Sequence, residues 1–114
     1  MTHNEDEYSN SFHKELDEYR KEYELFLLKK YKPSTINKHS YIINSFIDFI
    51  ILYEGCEGFE QLTKGMVNSK FFAYLESEYQ EGLQKITVKN IIKAYLLFIY
   101  DNYGYGNVKL LNTL

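Results

Sequence analysis

The chain has 114 residues, 45% hydrophobic and 18% aromatic, which suits one domain with a modest core and excludes disorder throughout. Its formal net charge of −3 is not the strong positive balance of an autonomous nucleic-acid binder. One cysteine excludes an internal disulfide, and one proline with six glycines punctuate too little for a many-turned β protein, so the chain reads as all-α.

Residues 1–10 include the acidic run Glu5, Asp6 and Glu7 and read as a flexible, solvated tail. Residues 1–24 hold eight acids against three bases, net −5, whereas residues 25–114 hold eight acids against ten bases, net +2. An acidic arm thus precedes a mildly basic body. No apolar segment follows the N-terminus as a leader, and no run is clean enough to span a bilayer, so the expected location is cytoplasmic with no membrane contact.

A first helix is expected from Ser11 to about Tyr31, with Leu16, Tyr19, Tyr23, Phe26 and Leu27 as its apolar stripe and the Lys30 stem at its end. Pro33 disfavours helical dihedrals at Lys32 and suits a first helical position, so the second helix opens at Pro33, or with Ser34 as cap. Ile36, Ile43, Phe46, Ile47, Ile50 and Tyr53 form its stripe, and Ile42, Phe49, Ile51 and Leu52 widen it into a helix buried nearly all round. Gly55 and Gly58 bracket a loop, and Thr63 reads as the cap of a third helix bearing Val67, Phe71, Tyr74 and Leu75. Gly82 suits the left-handed position after that helix. The fourth helix runs from Lys85 or Thr87 to Tyr103, burying Val88, Ile91, Ile92, Tyr95, Phe98 and Ile99, and Gly104 stops it. Residues 105–114 read as a tail or a short docking segment. The expected domain is therefore a four-helix bundle of two hairpins over residues 11–104.

A faint internal repeat pairs Thr35-Ile-Asn-Lys with Thr87-Val-Lys-Asn, and a Phe follows each Thr by eleven residues, at Phe46 and Phe98. Both helix openings are basic. Helix N-termini present free N–H groups and the positive end of the dipole, which bind phosphate. The candidate DNA contacts are Lys32, Ser34, Thr35, Asn37, Lys38, His39 and Tyr41 on the second helix, with Lys85, Thr87, Lys89, Asn90 and Lys93 on the fourth. Ordinary capping and a solvated lysine face are the bland alternative; the repetition favours the functional reading. His39 is evenly balanced between a boundary residue and a phosphate or base contact.

No catalytic set is legible. The sequence has no Gly-rich phosphate loop, no nucleophile triad and no metal spacing among His3, His13, His39 and Cys56, so neither enzyme activity nor a cofactor is expected. Cys56 lies between acids that raise a thiol pKa, against a nucleophilic role.

The stretches YKPSTINKHSYIINSFIDFI and GLQKITVKNIIKAYLLFIYDNYG, with EYELFLLKK and LTKGMVNSKFFAYLES, resemble the SAM-like core-binding domain of the tyrosine recombinase (phage integrase) family. The resemblance spans about residues 16–104. It implies a four-helix bundle forming half of a clamp on duplex DNA, with Thr35 and Thr87 at the motif threonines and Lys38 and Lys89 close behind. The chain departs from the pattern at Lys32 and Gln84, where the family often has a capping Ser, at Lys85 in place of Pro, and at Leu96 in place of a basic residue. The family's catalytic domain would follow residue 104, where ten residues remain, so the chain is either an excised domain or a stand-alone relative. The reading is a non-catalytic DNA-binding domain from a mobile element. The alternative is an interaction subunit for a larger recombinase, polymerase or primase. Either way a protein partner or a missing catalytic domain is expected, because Tyr8, Phe59, Tyr100, Tyr103 and Tyr105 exceed what four stripes need.

Overall fold

The computed structural model describes residues 3–79 and 82–114, with side chains for residues 11–78 and 82–114. It is an all-α bundle, with no strand among the described residues. Its helices are α1 (His3–Leu27), α2 (Pro33–Asp48), α3 (Phe71–Tyr79), α4 (Lys85–Tyr103) and α5 (Val108–Thr113). Wide π turns at Phe49–Tyr53 and Met66–Lys70 extend α2 and lead into α3, and a single 3₁₀ turn spans Phe59–Gln61.

α1 starts at His3, ahead of the expected Ser11, so the backbone of residues 3–10 is helix and not a separate tail. No Gly or Pro interrupts this stretch. The helix stops at Leu27, before the expected Tyr31. The chain then tightens, with Lys30 N and Tyr31 N both donating to Leu27 O, at 2.9 Å each.

α2 begins at Pro33, whose missing N–H costs nothing in a first turn. Lys32 occupies the cap position without a side-chain hydrogen bond, so Ser34 is inside the helix and does not cap it. Thr63 caps the third helical segment as expected, its Oγ1 accepting from Met66 N at 3.2 Å. Gly104 ends α4 in the left-handed region, φ 74°, its N–H donating to Tyr100 O. The turn leading to Gly82 lies outside the described residues.

α1 packs on α2, and α3 with its leading turn packs on α4, which reproduces the two expected hairpins. α2 and α4 pack against each other and bring the hairpins together. Phe12, Leu16, Tyr23 and Leu27 of α1 meet Ile42, Ile43, Phe46 and Ile47 of α2 and Ile92, Tyr95 and Ile99 of α4 in one core. Phe46 is wholly buried and meets Phe71 edge-on, ring centroids 5.1 Å apart.

Five expectations about the apolar surface are corrected, and the first is Phe59, expected as a surplus aromatic for a partner but buried edge-on against Phe12 with ring centroids 5.1 Å apart. Phe26 is 38% exposed and Phe98 only half-buried, because they line an open cleft between α1 and α4. Leu52 and Tyr53 are 74% and 64% exposed. The wide turn inserts an extra residue into the helical repeat and rotates both toward solvent.

Residues 105–114 are not a free tail: α5 docks through buried Leu110. Asn107 caps it by accepting from Leu110 N (3.1 Å), while its Nδ2 donates to the carbonyls of Phe59 (3.4 Å) and Leu62 (3.2 Å). α5 is thus a fifth helix, its cap fastened to the loop that precedes Thr63.

Candidate nucleic-acid interface

α2 and α4 open in matching register, with Thr35 and Thr87 each the third residue of its helix. Both openings lead into one surface pocket of about 470 Å³, lined by Ser34, Thr35, Lys38 and His39 from α2 and by Thr87 and Asn90 from α4. Buried Ile91 and exposed Ala94 complete its lining. Six of the twelve candidate residues therefore converge. Lys38 is the one cation among the described lining residues, and none of them is a carboxylate. Neither helix has a side-chain cap, so the first-turn N–H groups are not taken up by a capping oxygen.

His39 is half-buried at the side of this pocket, its ring tilted 34° against Tyr31 with centroids 6.0 Å apart. Its Nδ1 is shielded from solvent and has no hydrogen-bond partner among the described residues. Burial, then the neighbouring Lys38 charge, depress its pKa below the ordinary 6.5. An imidazole held in this way is neutral near pH 7 and gains most from an anion placed beside it.

The other candidates are placed differently. Lys32 and Asn37 are exposed beside the α2 opening, outside the pocket lining. Tyr41 is 37% exposed a turn further on. Lys85 and Lys89 face away from Thr87 and line a separate shallow depression with Asn68 and Ile86. Lys93 is turned to the C-terminal segment, its Nζ donating to Leu114 O at 2.8 Å. The lysines at 85, 89 and 93 follow an i, i+4 stripe, while Thr87, Asn90 and Ala94 follow another, so one helix cannot aim both at the same groove. Ala94 was missed by the sequence reading, although its helical spacing from Asn90 and Thr87 would have found it.

No group of three or more His, Cys, Asp or Glu among the described residues could hold a metal ion, and no described helix is long and apolar enough to cross a membrane. Cys56 is buried, and burial together with Glu54 and Glu60 raises its thiol pKa. Comparison with family models, curated proteins and solved structures found no match to this chain.

Proposed function

We propose that the protein is a non-catalytic DNA-binding module that holds the sugar–phosphate backbone in the groove between the openings of α2 and α4. The observation that carries this reading is the convergence of Ser34, Thr35, Lys38, His39, Thr87 and Asn90 on one pocket. Two first turns supply oriented N–H groups, two threonines supply hydroxyl donors and Lys38 supplies charge, a combination suited to successive phosphates. Duplex DNA is the favoured ligand. The resemblance of the sequence to integrase core-binding domains is what suggests duplex DNA and an origin in a mobile element. The test is fluorescence anisotropy of a labelled duplex across a salt series. Affinity that falls steeply with salt supports the reading, because phosphate contacts release counterions. Absence of binding at low salt ends it.

A second reading has its own observation. Leu52 and Tyr53 stand exposed on the wide turn after α2. Adjacent exposed apolar side chains suit a protein contact. This supports an accessory subunit bound to a larger recombinase, polymerase or primase, and co-purification with such an enzyme, lost on Leu52→Asp, tests it.

A further inference from the structure

A second cleft, of about 370 Å³, lies between the end of α1 and the middle of α4. Four of its described lining residues are aromatic: Tyr23, Phe26, Tyr31 and Phe98. Tyr23 and Phe98 lie 5.0 Å apart, Phe26 and Phe98 5.3 Å apart, and Tyr31 closes the side toward His39. Phe26 and Tyr31 keep 38% and 47% of their surface exposed, although an uninvolved Phe gains by burying more. Two charges stand among the lining residues, the Lys30 ammonium and the Asp101 carboxylate. The ammonium sits over the Phe26 ring, 5.0 Å from its centroid.

This cleft adjoins the phosphate groove. Ala94 belongs to the lining of both, and the Tyr31–His39 ring pair joins their edges. A strand whose phosphates occupy the groove therefore has its bases within reach of the aromatic walls. The Asp101 carboxylate repels a phosphate and accepts from the N–H groups on a base edge. Lys30 has a better partner in a neighbouring phosphate than in a ring, so an arriving strand draws it off Phe26 and frees the ring face. Aromatic faces beside a cationic groove are the arrangement by which proteins hold unpaired strands.

We propose that the α1–α4 cleft takes an unstacked base from a locally single-stranded stretch of the DNA whose backbone lies in the α2–α4 groove. The proposal rests on the backbone-binding reading and narrows its ligand to duplex interrupted by a gap, bulge or single-stranded flank.

The experiment compares three labelled DNAs by anisotropy at low salt: an intact duplex, the same duplex with a three-nucleotide single-stranded gap, and that gap with abasic sugars. Wild type is expected to bind the base-containing gap roughly tenfold more tightly than the other two, as one stacked base provides. Phe26→Ala and Tyr31→Ala are each expected to reduce the gap to intact-duplex affinity, with helicity checked by circular dichroism. Equal wild-type affinity for the base-containing and abasic gaps overturns the proposal without need of a variant. Lys38→Ala separates the two readings. If it binds all three DNAs as tightly as wild type while the preference for bases persists, base capture by the cleft stands and the placement of the backbone in the α2–α4 groove falls. If Lys38→Ala weakens all three while wild type shows no preference for bases, the groove stands and the cleft falls.

Discussion

The Tyr95 hydroxyl donates to the backbone carbonyl of Leu16, joining the middle of α4 to α1 from inside the core. The ring is wholly buried, so its hydroxyl has no solvent to turn to, and Leu16 O is the partner that makes a tyrosine tolerable there. Tyr95→Phe removes the donor and keeps the ring. It is expected to cost about 1 kcal/mol, read as a lower urea midpoint with unchanged slope.

The same burial sets an alkaline limit. Burial pushes the Tyr95 phenol well above its ordinary 10.0, and burial raises those of Tyr19 and Tyr23 in the same direction. The folded state therefore holds these protons more tightly than the unfolded state. Their contribution is fully present below pH 10 and is lost as pH rises above it, when the unfolded chain ionises first. Melting temperature should decline from about pH 10 upward, and less steeply in Tyr95→Phe.

Phe46 and Phe71 form the edge-on pair at the centre of the hairpin contact. Phe46→Ala leaves a cavity in the core and should cost roughly 3–5 kcal/mol. That is a large fraction of a small domain's stability, visible as a melting temperature lowered by well over ten degrees or as loss of the folded state.

Lys38 and Lys93 make a discriminating pair for DNA binding. Lys38 lines the groove, whereas Lys93 is bonded to Leu114 O. Lys38→Ala should weaken duplex binding and lower the salt slope by about one contact. Lys93→Ala should leave that slope unchanged. A reversed ranking would refute the placement of the backbone between α2 and α4.

His39 predicts opposite pH trends for folding and binding. Its depressed pKa means the neutral ring is favoured in the folded state, so its contribution to stability is present above the ordinary 6.5 and is lost as pH falls below it. A phosphate beside the ring favours the imidazolium, so DNA affinity should rise over the same range while stability falls. His39→Gln should flatten both profiles.

Much of the local punctuation was legible. Pro33, Thr63 and Gly104 act through their own backbone neighbours, and each stands where its chemistry placed it. α5 was only half legible because its anchor is tertiary: Asn107 reaches the carbonyls of Phe59 and Leu62, some 45 residues away in sequence. The exposure of Leu52 and Tyr53 depends on one residue added to a helical turn, which hydrophobic spacing does not mark. The candidate groove was half legible as well. Grouping all lysines near the α4 opening ignored helical angle, and that angle separates Lys85, Lys89 and Lys93 from Thr87 and Asn90.

The clasp between Asn107 and the loop before Thr63 makes the protein a clock for its own local opening. Cys56, the chain's single thiol, is buried in that loop and only 3% exposed. A thiol reagent reaches it only while the loop is lifted, so the labelling rate counts liftings that bulk melting curves average away. Asn107→Ala removes the cap of α5 and both ties to the loop at once. Labelling should then run about five- to thirtyfold faster, the ratio that a lost cap of 1–2 kcal/mol implies, under conditions where the rest of the bundle stays folded. Unchanged labelling would mean that the thiol is exposed through another seam. The rate so measured is a property of one corner of the molecule, remote from the groove, and gives a baseline against which any tightening by bound DNA can be timed.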